Sequence, residues 1–297
     1  MSGIYTGAMG MISNLQALNT HAQNIANSST DGYKFDEVSF RVFDETNLIR
    51  KYQNEHTKIG SYNDEVYTDD IYTHYDQGDV KLTNSPLDMM IQDQSTSPYA
   101  SFFTVSQNGQ ELFTRNGSFT LNAERQLATY NGAYVLGENG QPITIPQGVQ
   151  FSVKEDGTIE NANTGETINK IQLHSIGKDD LQLLEKKQGG FYQVLTPEKI
   201  QQTFGSVGKM LAQYDSNPTL QGIFTKERLQ DIQQSGKVRI VGDFQGTVRE
   251  HALETSNVNM QNEMVGLMKA QKGVQSSQKV TMTMDKVLEQ EANDVGK

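Results

Sequence analysis

The chain has 297 residues, 35% of them hydrophobic, with no cysteine and a formal net charge of −11. No local basic stripe offsets that acidity, which disfavours a nucleic-acid or anionic-membrane partner, and the lack of cysteine removes disulfides and thiolate metal sites. A mean hydropathy of −0.60 is low for one compact globule, so much of the chain is expected to be exposed or buried only against partners.

At the N-terminus, Ile4, Ala8, Met11, Leu15, Leu18, Ala22 and Ile25 follow one another at steps of four and three. This unbroken heptad stripe predicts an amphipathic helix, with Ser2 placed to cap its start. Asn27, Ser28, Ser29, Thr30, Asp31 and Gly32 then end it, because their polar side chains compete for backbone hydrogen bonds and Gly32 can take positive φ. No Lys or Arg precedes Lys34, and no window of about 18 residues is predominantly apolar. Neither a cleavable secretory signal nor a transmembrane helix is therefore expected.

Residues 35–85 are rich in Asp, Glu, Tyr and Asn, alternate weakly at Val38, Phe40 and Val42, and read as an extended or β connector. Within it, DDIYTHYDQGD gathers Asp69, Asp70, His74, Asp76 and Asp79. Such side chains hold divalent ions, but the spacing fits neither a calcium loop nor a zinc-protease helix, and a solvated connector is the preferred reading.

Residues 86–235 read as a β-rich domain. Asn108-Gly109, Asn116-Gly117, Asn131-Gly132, Asn139-Gly140 and Asp156-Gly157 are hairpin signals. Between them Phe119 with Leu121, Tyr134 with Leu136, and Val149, Phe151 with Val153 alternate as half-buried strands do. Further strands are expected at 168–176 and 237–241, and short helices at 197–204 and 224–233. The GSVGK at 205–209 has two residues where a phosphate loop needs four between its glycines, and reads as a turn.

After a return connector at 236–251, the C-terminal segment 252–297 reads as a second long helix. Met260, Met264, Leu267, Gln271, Val274 and Gln278 stand at heptad spacing, followed by a shifted stripe through Val280, Met284, Val287 and Leu288. The architecture is thus α+β: an N-terminal helix within 1–34 and the C-terminal helix form a coiled-coil-like pair, with a central, mainly antiparallel β domain and an extended or β connector. Isolated helices of this kind are marginal, and a two-helix pair leaves much of each stripe exposed, so further copies are expected to complete the core. A helical hairpin packed on the middle domain is the alternative. No catalytic, cofactor-binding or metal-binding residue is nominated, and the chain reads as a non-enzyme without a cofactor.

Together these segments resemble the bacterial flagellar rod and hook family of axial proteins, most closely the basal-body rod proteins. GMISNLQALNTHAQNIANSSTDGYK is similar to that family's N-terminal signature through Ala26, Asn27, Thr30, Gly32, Tyr33 and Lys34. ALETSNVNMQNEMVGLMKAQKGVQSSQKV is similar to its C-terminal signature through Leu253, Glu254, Ser256, Asn257, Val258, Glu263, Met264, Gln271 and Lys279. Residues 114–146 resemble the family's β segment. Leu87, Asp88, Ile91, Phe102 and Phe103 match the preceding motif, but QDQSTSPYAS replaces its short Gly-x-Gly link, and Asn122 and Arg125 stand where Asp and Gly are usual.

The resemblance implies a structural subunit of the basal-body rod, exported by the flagellar type III apparatus without a cleaved signal peptide. Its partners would be copies of itself and other rod and hook proteins, with no nucleic acid and no membrane insertion. The implied assembly interface comprises Ile4, Ala8, Met11, Leu15, Leu18, Ala22, Ile25, Asn27 and Gly32, with Leu253, Asn257, Met260, Met264, Leu267, Val274, Val287 and Leu288. A short hook-type or rod-hook junction protein is the alternative within the family. An extracellular β-rich binding protein is the alternative from another class, and a metal-dependent enzyme centred on Asp69 to Asp79 comes last.

Overall fold

The computed structural model describes residues 2–42, 46–52, 55–62, 66–94, 97–216, 224–235, 238 and 241–295. The chain divides into a helical unit, Met1–Ser28 with Phe35–His74 and Val258–Lys297, and a β unit, Ser29–Lys34 with Tyr75–Asn257. Lys237 and the side chains of Ser2, Val42, Asp69 and Asp70, singled out in the sequence, lie outside the described residues.

In the helical unit α1 spans Ser2–Ala26 and carries no Asp, Glu, Lys or Arg along its whole length. It ends where Asn27 and Ser28 turn their side chains back: Asn27 Nδ2 donates to the Gln23 carbonyl at 2.9 Å and Ser28 Oγ to that of Ile25 at 2.8 Å. The Gln23 carbonyl keeps its helical bond from the Asn27 N–H, whereas the Ile25 carbonyl is taken by Ser28, through Oγ and through its N–H at 3.2 Å, in place of the next helical N–H. Strand β1 (Asp36–Val42) pairs antiparallel with β4 (Val66–Thr73), and β2 (Thr46–Tyr52) pairs with β3 (Glu55–Tyr62). Asn24 fixes the start of β1, its amide exchanging two hydrogen bonds with the backbone of Asp36 at 2.7 and 3.0 Å. The last helix, α5, runs over Met260–Val295. Among the described residues no helix is long and apolar enough to cross a membrane.

The β unit contains two short pairings, β5 (Val80–Leu82) with β20 (Ala252–Glu254) and β6 (Met89–Gln92) with β19 (Thr247–Glu250). Its main sheet is built around β7 (Tyr99–Gln107), which bonds β8 (Gln110–Thr114), β11 (Tyr134–Val135) and β15 (Leu173–Gly177). Beyond these lie β9 (Phe119–Leu121), β10 (Leu127–Thr129), β16 (Leu184–Lys187), β17 (Phe191–Val194) and β18 (Val241–Asp243). A separate antiparallel sheet joins β12 (Phe151–Val153), β13 (Thr158–Asn161) and β14 (Thr167–Lys170).

Because successive residues of a strand face opposite ways, β7 feeds two cores at once. Phe103 packs edge-on to Phe119 at 5.1 Å in a core with Met89, Ile91, Val105, Leu127 and Ile143. Phe102 points to a second core with Phe113, Ile176, Tyr192 and the apolar faces of three short helices. These are α2 (Pro197–Phe204), α3 (Val207–Gln213) and α4 (Lys226–Ser235).

Several expectations need correction. Asn108-Gly109 makes a hairpin with both residues at positive φ, as a type I′ turn requires. Asn116-Gly117 makes none: Gly117 is there because a Cβ would collide with the Met89 carbonyl. The GSVGK turn instead leads into α3, whose residues include Lys209. The C-terminal helix begins at Met260, and Ala252–Glu254, read as its first turn, is strand β20.

Candidate assembly surface

Helices α1 and α5 lie antiparallel. Gly7 meets Ser277 and Thr281, Gly10 meets Ser277, Asn14 meets Gly273, and His21 meets Gly266. A Cβ on Gly7 would stand only 2.5 Å from Thr281 Oγ1, so the absent side chain is what lets the backbones approach. At one end His21 Nδ1 lies 2.7 Å from Glu263 Oε2, and Asn24 Nδ2 donates to the same oxygen at 3.0 Å.

The contact stripe of α1 is therefore Gly7, Gly10, Asn14, Ala17, His21 and Asn24. Each member precedes by one residue the expected apolar stripe Ala8, Met11, Leu15, Leu18, Ala22 and Ile25. The same offset holds on α5, where Glu263, Gly266, Ala270, Gly273 and Ser277 precede Met264, Leu267, Gln271, Val274 and Gln278. One residue is about 100° of helix. The expected coiled-coil seam is thus not the seam the two helices share: small and polar side chains close the pair, and the large apolar ones sit on its flanks.

Leu15 stays 42% exposed and Met264 48% exposed. Ala22, Met260 and Val287 are exposed, and Ile4, Ala8, Met11, Leu18, Ile25, Leu267, Val274 and Leu288 are half-buried. Tyr5, Ile12, Val265 and Met268 are further exposed apolar side chains of the pair that the heptad stripes omitted. Asn27 is half-buried just past α1, whereas Gly32, Leu253 and Asn257 belong to the β unit, where Leu253 is buried in β20.

Sequence reasoning assigned no role to a buried ion cluster in the β unit. Lys34 Nζ donates to Glu254 Oε1 at 2.5 Å and to the Asp76 carbonyl at 2.6 Å. Arg115 Nε donates to Glu254 Oε2 at 2.8 Å, and its Nη1 to Asp93 Oδ2 at 2.8 Å and to the Ser101 carbonyl at 2.5 Å. The amide of Gly78 completes the shell of Glu254 at 2.8 Å. Gly32, at φ +73°, donates its N–H to the Glu254 carbonyl at 2.7 Å and lies so close to Arg115 and Asn116 that a Cβ would be 2.5 Å from the Asn116 nitrogen.

Burial pulls Lys34 down to about 8 although Glu254 opposes the shift. Burial alone would raise Glu254, but Arg115 and Lys34 outweigh it and hold the carboxylate below its ordinary range. Lys186 closes the cluster from outside, donating to the Lys34 carbonyl at 2.7 Å with its ammonium 3.9 Å above the Tyr33 ring. Lys34, Arg115 and Glu254 each lie in a different signature segment of the chain, and that coincidence was the signal available in the sequence.

The segment Asp69 to Asp79 has a different use for its imidazole. His74 stacks on Phe35 at 4.4 Å and sets Nε2 2.7 Å from Glu37 Oε2. Among the described residues no group of three or more Asp, Glu and His is placed to hold a metal ion.

Comparison with known families places three matches along the chain. Residues 4–34 match the flagella basal body rod protein family, residues 100–161 the D1 domain of flagellar hook proteins FlgE/F/G, and residues 249–295 the C-terminal region of basal body rod FlgEFG proteins. In all three segments the chain is similar to the flagellar rod and hook family of axial proteins. Among similar axial proteins, the hook-basal body complex protein FlhO of Bacillus subtilis is 25% identical over 309 residues, spanning 100% of this chain and 99% of its own. The basal-body rod protein FlgG of Caulobacter vibrioides is 24% identical over 300 residues, covering 97% of each chain. The rod protein FlgF of Salmonella typhimurium reaches 30% identity over 170 residues, 57% of this chain and 60% of its own. Lys34, Arg115 and Glu254 fall one in each matched segment, so the ion cluster is the point at which the three family segments meet.

Proposed function

We propose that this chain is a structural subunit of the bacterial flagellar basal-body rod, joined to copies of itself and to other axial proteins through the apolar stripes of α1 and α5. The observation that carries the reading is the one-residue offset: the intramolecular pair uses the small stripe and leaves Ile4, Ala8, Met11, Leu15, Leu18, Ala22 and Ile25 without a partner element that covers them fully. Met260, Met264, Leu267, Val274, Val287 and Leu288 complete the surface on α5. Contacts between unlike faces of successive copies do not close on themselves and generate a helical tube, in which every stripe finds a neighbour.

In this reading the subunit reaches the flagellum through the type III export apparatus, and the β unit, held shut by its ion cluster, forms the outer layer of the shaft. A strain producing the chain without residues 1–26 tests it. Motility is lost and basal bodies imaged from the strain carry arrested rods. Complete rods built with the truncated chain would rule the reading out.

A further inference from the structure

Five of the eleven methionines lie on α5. At about 100° per residue, Met260, Met264, Met268 and Met282 fall within about 80° of arc, and they are 45%, 48%, 53% and 66% exposed. The exposed apolar side chains of α1 at comparable accessibility are Tyr5, Ile12 and Leu15, none of which carries sulfur, while Met89, Met90 and Met210 are buried in the β unit. The chain has no cysteine, so thioethers are its only oxidisable sulfur.

We propose that Met260, Met264 and Met268 form an oxidation site through which hydrogen peroxide blocks docking of the α5 apolar face. This rests on the assembly reading above and adds its regulation. The thioether sulfur attacks one peroxide oxygen; the O–O bond breaks, an S–O bond forms, and water leaves, so that sulfur loses two electrons and the peroxide gains them. The sulfoxide is polar and unsuited to an apolar contact, and methionine sulfoxide reductases reverse it. Oxidised free chains are thereby kept out of the rod, while seated chains have these sulfurs covered.

The test uses the full-length chain untreated, treated with hydrogen peroxide, and treated then reduced with both reductase types. Peptide mass mapping is expected to find Met260, Met264 and Met268 oxidised before Met89, Met90 and Met210. In sedimentation velocity the treated chain needs about tenfold or more the concentration of the untreated chain to form large species, and reduction restores the original threshold. The triple variant Met260→Gln, Met264→Gln, Met268→Gln, helical by circular dichroism, behaves as the treated chain without peroxide. Oxidation of the three sites no faster than of the buried methionines, or an unchanged threshold after treatment or in the triple variant, overturns the proposal and leaves the assembly reading standing. An untreated chain that stays monomeric at every concentration overturns both.

Discussion

The two units bury opposite kinds of side chain. The β unit encloses Phe102, Phe103, Met89, Ile91 and even the charged trio Lys34, Arg115 and Glu254, each at most 2% exposed. The helix pair encloses Gly7, Ser13, Ala17, Thr20 and Asn24 and leaves Tyr5, Ile12, Leu15, Met264 and Met268 in water. One unit satisfies its large side chains within a single chain, and the other sets them where only another molecule can cover them. The difference locates structure and assembly in different residues: substitutions in the first should cost stability, and those on the flanks of the second should cost assembly with little loss of stability.

The largest effect is expected at Glu254. Its carboxylate serves Lys34, Arg115 and the Gly78 amide in a site closed to water. Removing one member of a buried ion network leaves the others uncompensated, so Glu254→Ala should lower stability by about 3–5 kcal/mol. Urea unfolding followed by tyrosine fluorescence measures it, and a loss below about 1 kcal/mol would mean that the cluster is incidental.

Next is the helix seam. Gly273 receives the Asn14 side chain with no room for a Cβ, and Gly273→Leu should cost about 1–3 kcal/mol by forcing α1 and α5 apart. The readout is the thermal loss of far-ultraviolet helical signal. A variant that melts like the parent would show that the seam tolerates bulk.

Titration separates the units more finely. With Lys34 at about 8 in the folded chain against an ordinary 10.5, the unfolded chain binds more protons between those values, so stability rises with pH across that window and the gain is complete near the upper end. The rise should be about 3 kcal/mol and absent from Lys34→Met. Glu254 gives a slope of the same sign at acid pH, since its depressed value makes stability fall as pH drops below the ordinary carboxylate range. Denaturant midpoints across pH for both chains measure these slopes.

The smallest stability effect carries the sharpest contrast. Ile12→Ser with Leu15→Ser removes exposed apolar surface from α1, and the free chain should change by about 0.5 kcal/mol or less. In a strain carrying the double variant, rod assembly should nevertheless fail.

How far the sequence could be read follows from the same division. Heptad spacing located both helices and a stripe on each, because large apolar side chains dominate any periodic pattern. It could not say which stripe the helices share, since Gly7, Gly10, Gly266 and Gly273 add nothing to hydrophobicity and act through the close approach they permit. Asn108-Gly109 was legible because its turn is local. Asn116-Gly117 was not, as the constraint on Gly117 comes from Met89, a residue on another strand. The ion cluster escaped for the same reason: the partners of Glu254 stand 220 and 139 residues away in the chain.

The division of labour between neighbouring stripes can be measured directly because the chain lacks cysteine. Leu15→Cys and Met264→Cys place thiols on the apolar stripes. Ala17→Cys with Ala270→Cys places two on the buried small-residue stripes, which the pairings of Asn14 with Gly273 and His21 with Gly266 set opposite one another. Maleimide should label Leu15→Cys and Met264→Cys in the free chain and fail to label them in isolated basal bodies, while the Ala17→Cys, Ala270→Cys pair forms an intramolecular disulfide in both. Equal labelling of Leu15→Cys and Met264→Cys in the free and assembled protein would contradict the account.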